Sequence, residues 1–148
     1  MLGGDRDGKK SLWLVIAFAV VMRALVTSSY YSGENLPPKF GDFECHRHWM
    51  EFTHHAPVHT WYTDGPLMNY TYWPMDYPPL CAYTHWFWSQ IIAVVQPEAI
   101  KLQGSYGYSS QTYRATMRAI LIVAEVLVFV PAAIMVIRSL YPKQSKTT

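Results

Sequence analysis

The sequence has little charge and little cysteine, and each shortage excludes a class of protein. Only 15% of its 148 residues are charged and the formal net charge is +2, without the basic stripe and stacking aromatics of nucleic-acid-binding proteins. We therefore predict no nucleic-acid partner. The two cysteines, Cys45 and Cys81, are too few for a disulfide framework, although they can pair in an oxidising compartment.

Motifs for nucleotide, hydrolase and metal chemistry are also missing. The chain has neither a glycine-rich phosphate loop nor a Gly-x-Ser-x-Gly turn, which excludes soluble nucleotide-sugar binding and simple hydrolase chemistry. The histidines give no helical His-x-x-x-His pair, because His46 and His48 are two residues apart and Pro57 separates His55 from His59. No cysteine doublet completes a zinc site, so we predict no metal ion and no cofactor.

What the sequence does contain is apolar residues in two blocks near its ends. Apolar residues make up 51% of the chain, and the blocks run from Leu12 to Tyr31 and from Ala119 to Ile137. Each block has about the 20 residues that a helix needs to cross a bilayer. We therefore predict an all-α membrane protein with two transmembrane helices, at residues 12–31 and 119–137, that flank a large loop.

The charges outside the blocks predict their orientation. Basic residues precede the first block and follow the second, so the positive-inside rule places both tails, residues 1–11 and 138–148, in the cytosol. The loop of residues 32–118 then lies in the lumen. It contains the sequon that begins at Asn69, and N-glycosylation of Asn69 would agree with a lumenal loop.

Charges within and before the blocks leave alternatives open. Arg23 either snorkels to the membrane interface or pairs with another group. Glu125 is the only charge of the second block, and we expect it to face further helices beyond these two. The first block is alternatively a cleaved signal peptide, with Lys9 and Lys10 as its charged start. Apolar residues that continue beyond Arg23 favour an anchor.

Two central segments carry carboxylates in defined settings. The segment from Asp42 to Ala56 predicts an amphipathic helix that lies against the membrane or another domain and ends before Pro57. Its apolar stripe comprises Cys45, Trp49, Phe52 and Ala56. Asp42 at its start is either the N-cap of this helix or a reactive carboxylate.

The second carboxylate, Asp76, precedes Pro78 and Pro79, which keep the chain extended and hold the side chain in place. A catalytic or binding carboxylate needs such rigidity, but a proline turn that starts a helix explains it equally well. The aromatic-rich stretch from Leu80 to Val95 is short for a span and predicts an interfacial or re-entrant lumenal helix.

Several motifs together resemble one enzyme family. In order, they are Tyr31-Ser32-Gly33, Pro37-Pro38, Gly41-Asp42-Phe43-Glu44, Arg47-His48-Trp49, Trp61-Tyr62 and Asp76-Tyr77-Pro78-Pro79-Leu80. Over roughly residues 31–131 the chain resembles the first lumenal loop of the dolichyl-phosphate-glucose-dependent alpha-1,3-glucosyltransferases of N-glycan assembly. Its details, including Gly107-Tyr108-Ser109-Ser110, look more like the enzyme that adds the first glucose than its sister that adds the second.

The resemblance implies a multi-pass GT-C-like fold in the endoplasmic reticulum membrane, with dolichol-linked donor and acceptor lipids as partners. It implies that Asp42 is the catalytic base and that Asp76 lines the same site. It further implies substrate-binding roles for five residues, namely Glu44, Arg47, His48, Trp49 and Tyr77. Such enzymes are several hundred residues longer, so we expect this segment to need the remaining transmembrane helices and to transfer no glucose alone.

The chemistry agrees with one carboxylate base. A sugar hydroxyl must lose a proton as it attacks the anomeric carbon, and the leaving phosphate is already a stable anion that needs no general acid. The resemblance implies a single displacement that inverts a beta-linked donor to an alpha-1,3 product without a metal ion. The alternative is a non-catalytic two-span interaction protein derived from such an enzyme.

Overall fold

The computed structural model describes residues 4–27 and 29–140, and every regular element among them is helical. We name five α-helices: α1 (Gly4–Thr27), α2 (Gly41–His55), α3 (Pro79–Val95), α4 (Gln111–Ala124) and α5 (Val130–Leu140). Short 3-10 helices follow α2 at Val58–Thr60 and α3 at Pro97–Ile100, and a π-helical turn at Glu125–Phe129 joins α4 to α5. The predicted all-α class is confirmed.

The core of the central segment lies between α2, α3 and the chain that connects them. The predicted apolar stripe of α2 is buried, and it packs on residues of the connecting chain and of α3. This first cluster comprises Cys45, Trp49, Phe52, Ala56, Trp61, Met68, Met75 and Ala82. The stripe therefore faces its own segment. The prediction that it lies on a membrane or another domain was wrong, because residues 61–82 of the same segment cover it.

A second cluster ties the central segment to α4. Met50 of α2 and Ile92 of α3 pack with Tyr113 in the first turn of α4, together with Ala99 and Ile100 of the second 3-10 helix. Tyr113 is fully buried. The start of α4 is therefore part of the loop core, although its later residues belong to the predicted second span.

Length and composition distinguish the two apolar blocks. Among the described residues, one helix, Gln111–Leu140, is long and apolar enough to cross a membrane, whereas the apolar part of α1, Trp13–Val26, is shorter. At 1.5 Å per residue the shorter stretch covers about 21 Å of a bilayer core of roughly 30 Å. Moreover, α1 ends at Thr27, so residues 29–31 of the predicted block 12–31 lie outside the helix. The first span therefore stays a prediction.

The two apolar blocks meet through their charges. The Nε and one terminal nitrogen of Arg23 donate hydrogen bonds to the carboxylate of Glu125. The other terminal nitrogen of Arg23 donates to the carbonyl of Ala19. Arg23 thus pairs instead of snorkelling. Glu125 therefore has a partner on α1, and its expected contact with further helices stays a prediction.

Candidate active site

Two glycines fix the start of α2. Gly33 and Gly41 both have positive φ, 76° and 68°. Their backbones cross so closely that a Cβ on Gly33 would lie 2.3 Å from the amide nitrogen of Gly41. Only glycine fits at such a crossing, because any other residue adds both a clash and a strained φ. Gly33 and Gly41 therefore together determine where α2 begins.

Asp42 is the second residue of α2 and its side chain is exposed. The residue before the helix is Phe40, which makes no side-chain cap, so the interpretation of Asp42 as the N-cap was wrong. Asp42 lies two positions beyond the N-cap, too far into the helix for that role. Within the described chain its carboxylate makes no hydrogen bond or ion pair. An exposed, uncommitted carboxylate is what a general base requires.

Asp76 is also exposed and lies in the irregular chain that leads into α3. Pro79 is at the start of α3, and the hydroxyl of Tyr62 donates a 2.8 Å hydrogen bond to the carbonyl of Tyr77. The prolines therefore start a helix, and this tyrosine contact steadies the turn just after Asp76. The predicted extended stretch and the helix that follows it are both present.

The two aspartates border the same buried thiol. Burial, and after it the negative charges of Asp76 and Asp42, raise the pKa of Cys45 to about 12. Both carboxylates therefore act on one point between α2 and the start of α3. Cys81, at the start of α3, is also within electrostatic range of Cys45, and both cysteines are free thiols. The fold thus places two carboxylates, separated in sequence by more than thirty residues, within electrostatic range of one thiol.

A buried ion cluster lies behind Asp42 on α2. The Arg47 guanidinium donates two 2.6 Å hydrogen bonds to the carboxylate of Glu44 and a third, also 2.6 Å, to Glu51. It donates further to the carbonyl of Ala99 and the hydroxyl of Ser105. Arg47 and Glu44 are fully buried and Glu51 nearly so. Buried charges persist only when paired and hydrogen-bonded in this way.

The cluster also ties α2 to distant parts of the loop. The hydroxyl of Tyr72 donates a 2.9 Å hydrogen bond to Glu44, and the amide N–H of Gln103 donates one of 2.6 Å to Glu51. Although burial opposes it, the neighbouring His48 and Arg47 lower the pKa of Glu51 to about 2. The Glu51 carboxylate is therefore ionised at neutral pH and fixes the loop after α3 onto α2.

The predicted substrate-binding residues fall into two groups. Glu44, Arg47, His48 and Trp49 are all buried, whereas Tyr77 is 56% exposed. The indole N–H of Trp49 donates to the carbonyls of two residues just before Asp76, at 3.2 and 3.1 Å. The four buried residues therefore position the loop around both aspartates. Direct substrate contact stays a prediction for all five residues, of which Tyr77 alone is exposed.

Sequence reasoning missed a pair of histidines beside Asp42. The Nδ1 of His46 lies 3.0 Å from the Nε2 of His85, and the two rings are parallel within 4°. His46 is one helical turn after Asp42, and that spacing was the available signal. His85 comes from α3, so no local pattern indicated the pairing. No group of three ligand side chains able to hold a metal ion occurs among the described residues.

The sequon adopts a compact turn. Asn69 is exposed, and its side-chain oxygen accepts hydrogen bonds from the amide N–H and the hydroxyl of Thr71, at 2.8 and 2.7 Å. Asparagine favours such turns because its side chain can mimic a backbone carbonyl. The Asn69 side chain is thus on the surface of the loop.

Comparison with known proteins gives one family. A model described as the ALG6, ALG8 glycosyltransferase family matches residues 19–148. The chain is 40% identical over 124 residues to a probable dolichyl pyrophosphate Man9GlcNAc2 alpha-1,3-glucosyltransferase of Arabidopsis thaliana, a match of 84% of this chain and 23% of the relative. The corresponding enzyme of Gallus gallus is 36% identical over 133 residues, 90% of this chain and 26% of the relative. The corresponding enzyme of Mus musculus is 39% identical over 127 residues, which are 86% of this chain and 25% of the relative.

The chain therefore spans about a quarter of the length of these relatives. The family match begins within α1 and includes both aspartates, the two glycines of the crossing and the ion cluster. With a family match over most of its residues and relatives at 36 to 40% identity, the chain belongs to the ALG6, ALG8 glycosyltransferase family.

Proposed function

We propose that this segment supplies the catalytic base of a dolichol-dependent alpha-1,3-glucosyltransferase. The observation that carries the proposal is the placement of Asp42: an exposed, unpaired carboxylate at the start of α2, held by a glycine crossing and backed by a fully paired ion cluster. The relatives are named for transfer to dolichyl pyrophosphate Man9GlcNAc2. We therefore take dolichyl phosphate glucose as the donor and a terminal mannose of that oligosaccharide as the acceptor.

In the proposed reaction Asp42 accepts the proton of the mannose 3-hydroxyl as its oxygen attacks the anomeric carbon of glucose. The bond from that carbon to the donor phosphate breaks, and the phosphate leaves as a stable anion, so one carboxylate suffices where a glycosidase needs two. The displacement inverts the anomeric carbon. Asp76 acts electrostatically on the same Cys45 thiol as Asp42, and we assign it the orientation of the acceptor sugar, together with Tyr77.

The proposal includes a location in the endoplasmic reticulum membrane with the loop of residues 32–118 in the lumen. Its support is the helix Gln111–Leu140, which is long and apolar enough to span, and the exposed Asn69 in the loop. Protease protection of tagged ends in sealed microsomes tests it, since both tags should be accessible from the cytosol. Protected ends would reverse the orientation. Loss of the first block from the mature chain would favour the signal-peptide alternative.

The activity is tested with the full-length protein that carries this segment, synthetic dolichyl phosphate glucose and a dolichol-linked high-mannose acceptor. We expect one glucose to be added to the unglucosylated acceptor, in alpha-1,3 linkage, as mass spectrometry and a linkage-specific glucosidase would report. Transfer only to an acceptor that already carries one glucose would assign the protein to the second step. No transfer to either acceptor would favour the non-catalytic interaction protein.

The segment of 148 residues assayed alone is expected to transfer no glucose, because it covers only about a quarter of each related enzyme. Turnover by the purified segment would overturn that expectation. The same assay with and without a chelator tests the proposal that no metal ion takes part, since a chelator should leave the rate unchanged.

A further inference from the structure

The two histidines missed by sequence reasoning form an oriented hydrogen-bonded chain. The Nδ1 of His85 lies 2.8 Å from the carbonyl of Cys81, and its Nε2 lies 3.0 Å from the Nδ1 of His46. The ring centroids are 5.2 Å apart with the rings parallel, which places the imidazoles edge to edge along the N···N line. The indole of Trp49 packs edge-on against both rings, at 5.5 and 5.2 Å, and keeps them in this arrangement.

This arrangement assigns both tautomers. A carbonyl oxygen only accepts, so Nδ1 of His85 carries its proton and donates it to Cys81. Neutral His85 then has a bare Nε2, which accepts from a protonated Nδ1 of His46. Burial lowers the pKa of both rings, that of His85 to about 4, so both are neutral near pH 7. The consequence is that Nε2 of His46 is a hydrogen-bond acceptor.

His46 presents this side chain to solvent and to a cavity. The cavity, of about 230 Å³, lies between α2, α3 and α4. Its polar lining groups are His46, His85, Thr84 and Arg118, and its apolar walls include Phe43. A small, partly apolar cavity with a few convergent polar groups is the usual form of a small-ligand site.

Asp42 is the neighbour of His46 on the exposed side of α2. Side chains four residues apart on a helix have Cβ atoms about 5 to 6 Å apart. The negative charge of Asp42 also acts on the His46 ring, where it opposes the effect of burial on the pKa. A neutral acceptor nitrogen thus lies one turn from the proposed base, a separation that adjacent hydroxyls of one sugar ring can bridge.

We propose that Nε2 of His46 accepts a hydrogen bond from a hydroxyl of the acceptor sugar next to the one that Asp42 deprotonates, with the tautomer of His46 set by His85. The inference rests on the proposed function, because it takes a mannose as the group that Asp42 meets. Sugars offer hydroxyl donors on adjacent carbons, and a neutral nitrogen binds such a donor without competing with Asp42 for the proton that must be removed. His46 would therefore orient the acceptor sugar.

The first test is His46→Leu in the full-length enzyme, compared with His46→Gln and with His59→Leu. Leucine removes the acceptor nitrogen, whereas glutamine keeps an acceptor oxygen, and His59 is an exposed histidine outside the site. We expect His46→Leu to raise the KM for the lipid-linked acceptor about tenfold, the loss of roughly one hydrogen bond. His46→Gln should recover most of this loss and His59→Leu should show none. An unchanged acceptor KM in His46→Leu would overturn the inference.

The second test assigns the hydroxyl. Acceptors that lack the 2-hydroxyl or the 4-hydroxyl of the reacting mannose are compared between the wild-type enzyme and His46→Leu. One of the two should bind the wild type about tenfold more weakly and bind both enzymes equally, because its hydrogen bond is already absent. If His46→Leu loses affinity equally for both deoxy acceptors and the parent, the histidine acts on folding, and the inference fails.

Nitrogen-15 NMR of histidine-labelled protein gives a readout independent of activity. We expect Nδ1–H tautomers for both His46 and His85 at neutral pH, and His85→Phe should release His46 to a mixture of tautomers. An Nε2–H tautomer at His46 would contradict the inference whatever the kinetics show. The proposed function fails separately, if the wild-type enzyme transfers no glucose or Asp42→Asn retains full activity.

Discussion

The loop region between Gly33 and Tyr113 and the two apolar helices bury their side chains to very different extents. In the loop region Trp49 is 2% exposed and Phe52 is fully buried, whereas in the apolar helices Leu14 and Leu127 are 71% and 70% exposed. The loop region closes around its own core. The apolar helices expose side chains that are suited to contact with lipid or with other helices.

The same contrast holds for the charges. Arg47 in the loop region has five hydrogen-bonded connections to two carboxylates, a carbonyl and a hydroxyl, and no solvent exposure. Arg23 in α1 has one carboxylate partner, Glu125, and one carbonyl of its own helix. The charge of Arg47 is part of the closed core of the loop region. The charge of Arg23 instead links the two apolar helices through Glu125.

The largest expected effect is on the chemistry that the loop region positions. Asp42→Asn in the full-length enzyme should lower kcat roughly 10²- to 10⁴-fold, because asparagine keeps the size of the side chain but cannot accept the proton. Stability should hardly change, since Asp42 makes no cap and no ion pair in the described chain. The measurement is kcat with both lipid-linked substrates, beside a thermal melt of the same preparation.

Asp64→Asn is the matched control for that substitution, because Asp64 is an exposed aspartate of the same loop whose side-chain oxygen accepts from the amide of Tyr70 at 3.2 Å. It should retain the wild-type kcat. Near-normal turnover by Asp42→Asn would move the base elsewhere, with Asp76 as the next candidate. Asp76→Asn is expected to raise the acceptor KM as well as to lower kcat.

The next effect concerns the closed core itself. Arg47→Met should destabilise the protein by about 3 to 5 kcal/mol, because it leaves two buried carboxylates without their cation. Chemical denaturation in detergent, followed by tryptophan fluorescence of the loop region, measures the loss. Lys101→Met is the control, since its 4.0 Å pair with Glu98 is exposed and should contribute under about 0.5 kcal/mol. Equal stability of the two variants would show that the cluster is solvated.

A smaller effect is expected at the cross-link of the apolar helices. Arg23→Leu should weaken membrane insertion or lower stability, because Glu125 is left without its partner in an apolar setting. A second substitution at Glu125 distinguishes the loss of this ion pair from a local defect at residue 23. Arg23→Leu combined with Glu125→Leu, or an exchange of the two charges, should recover most of the loss. Insertion is read from a reporter fused after α5. If the double variant is as impaired as the single one, the pair is not the cross-link.

The smallest effect is expected at the junction of the two regions. Ser110 is the N-cap of α4, and its hydroxyl oxygen accepts a 3.2 Å hydrogen bond from the amide of Tyr113. Ser110→Ala should lower the free energy of unfolding by about 1 kcal/mol. The neighbouring Ser109 does not cap α4, so Ser109→Ala should leave the free energy of unfolding almost unchanged. A loss for Ser109→Ala as large as that for Ser110→Ala would show that the cap does not set the start of α4.

Local pattern was sufficient for much of the fold. The stripe of α2 at helical spacing, the proline at the start of α3 and the second apolar block are each local signals, and each predicted helix is present. The motif order also predicted the family. The N-cap role of Asp42 was wrong because helix starts shift by a residue, and here the glycine crossing, which the sequence does not reveal, moves the start to Gly41.

The sequence by itself determined the helices, the family and the identity of the two aspartates, because these depend on residue type and on spacing within a few turns. Only the tertiary structure decided which charges and rings meet. His46 pairs with a residue 39 positions away, Arg47 with a hydroxyl 58 positions away and Arg23 with a carboxylate 102 positions away. Polar groups in a low-dielectric setting take whichever partner the packing brings within reach, and no local pattern records that partner.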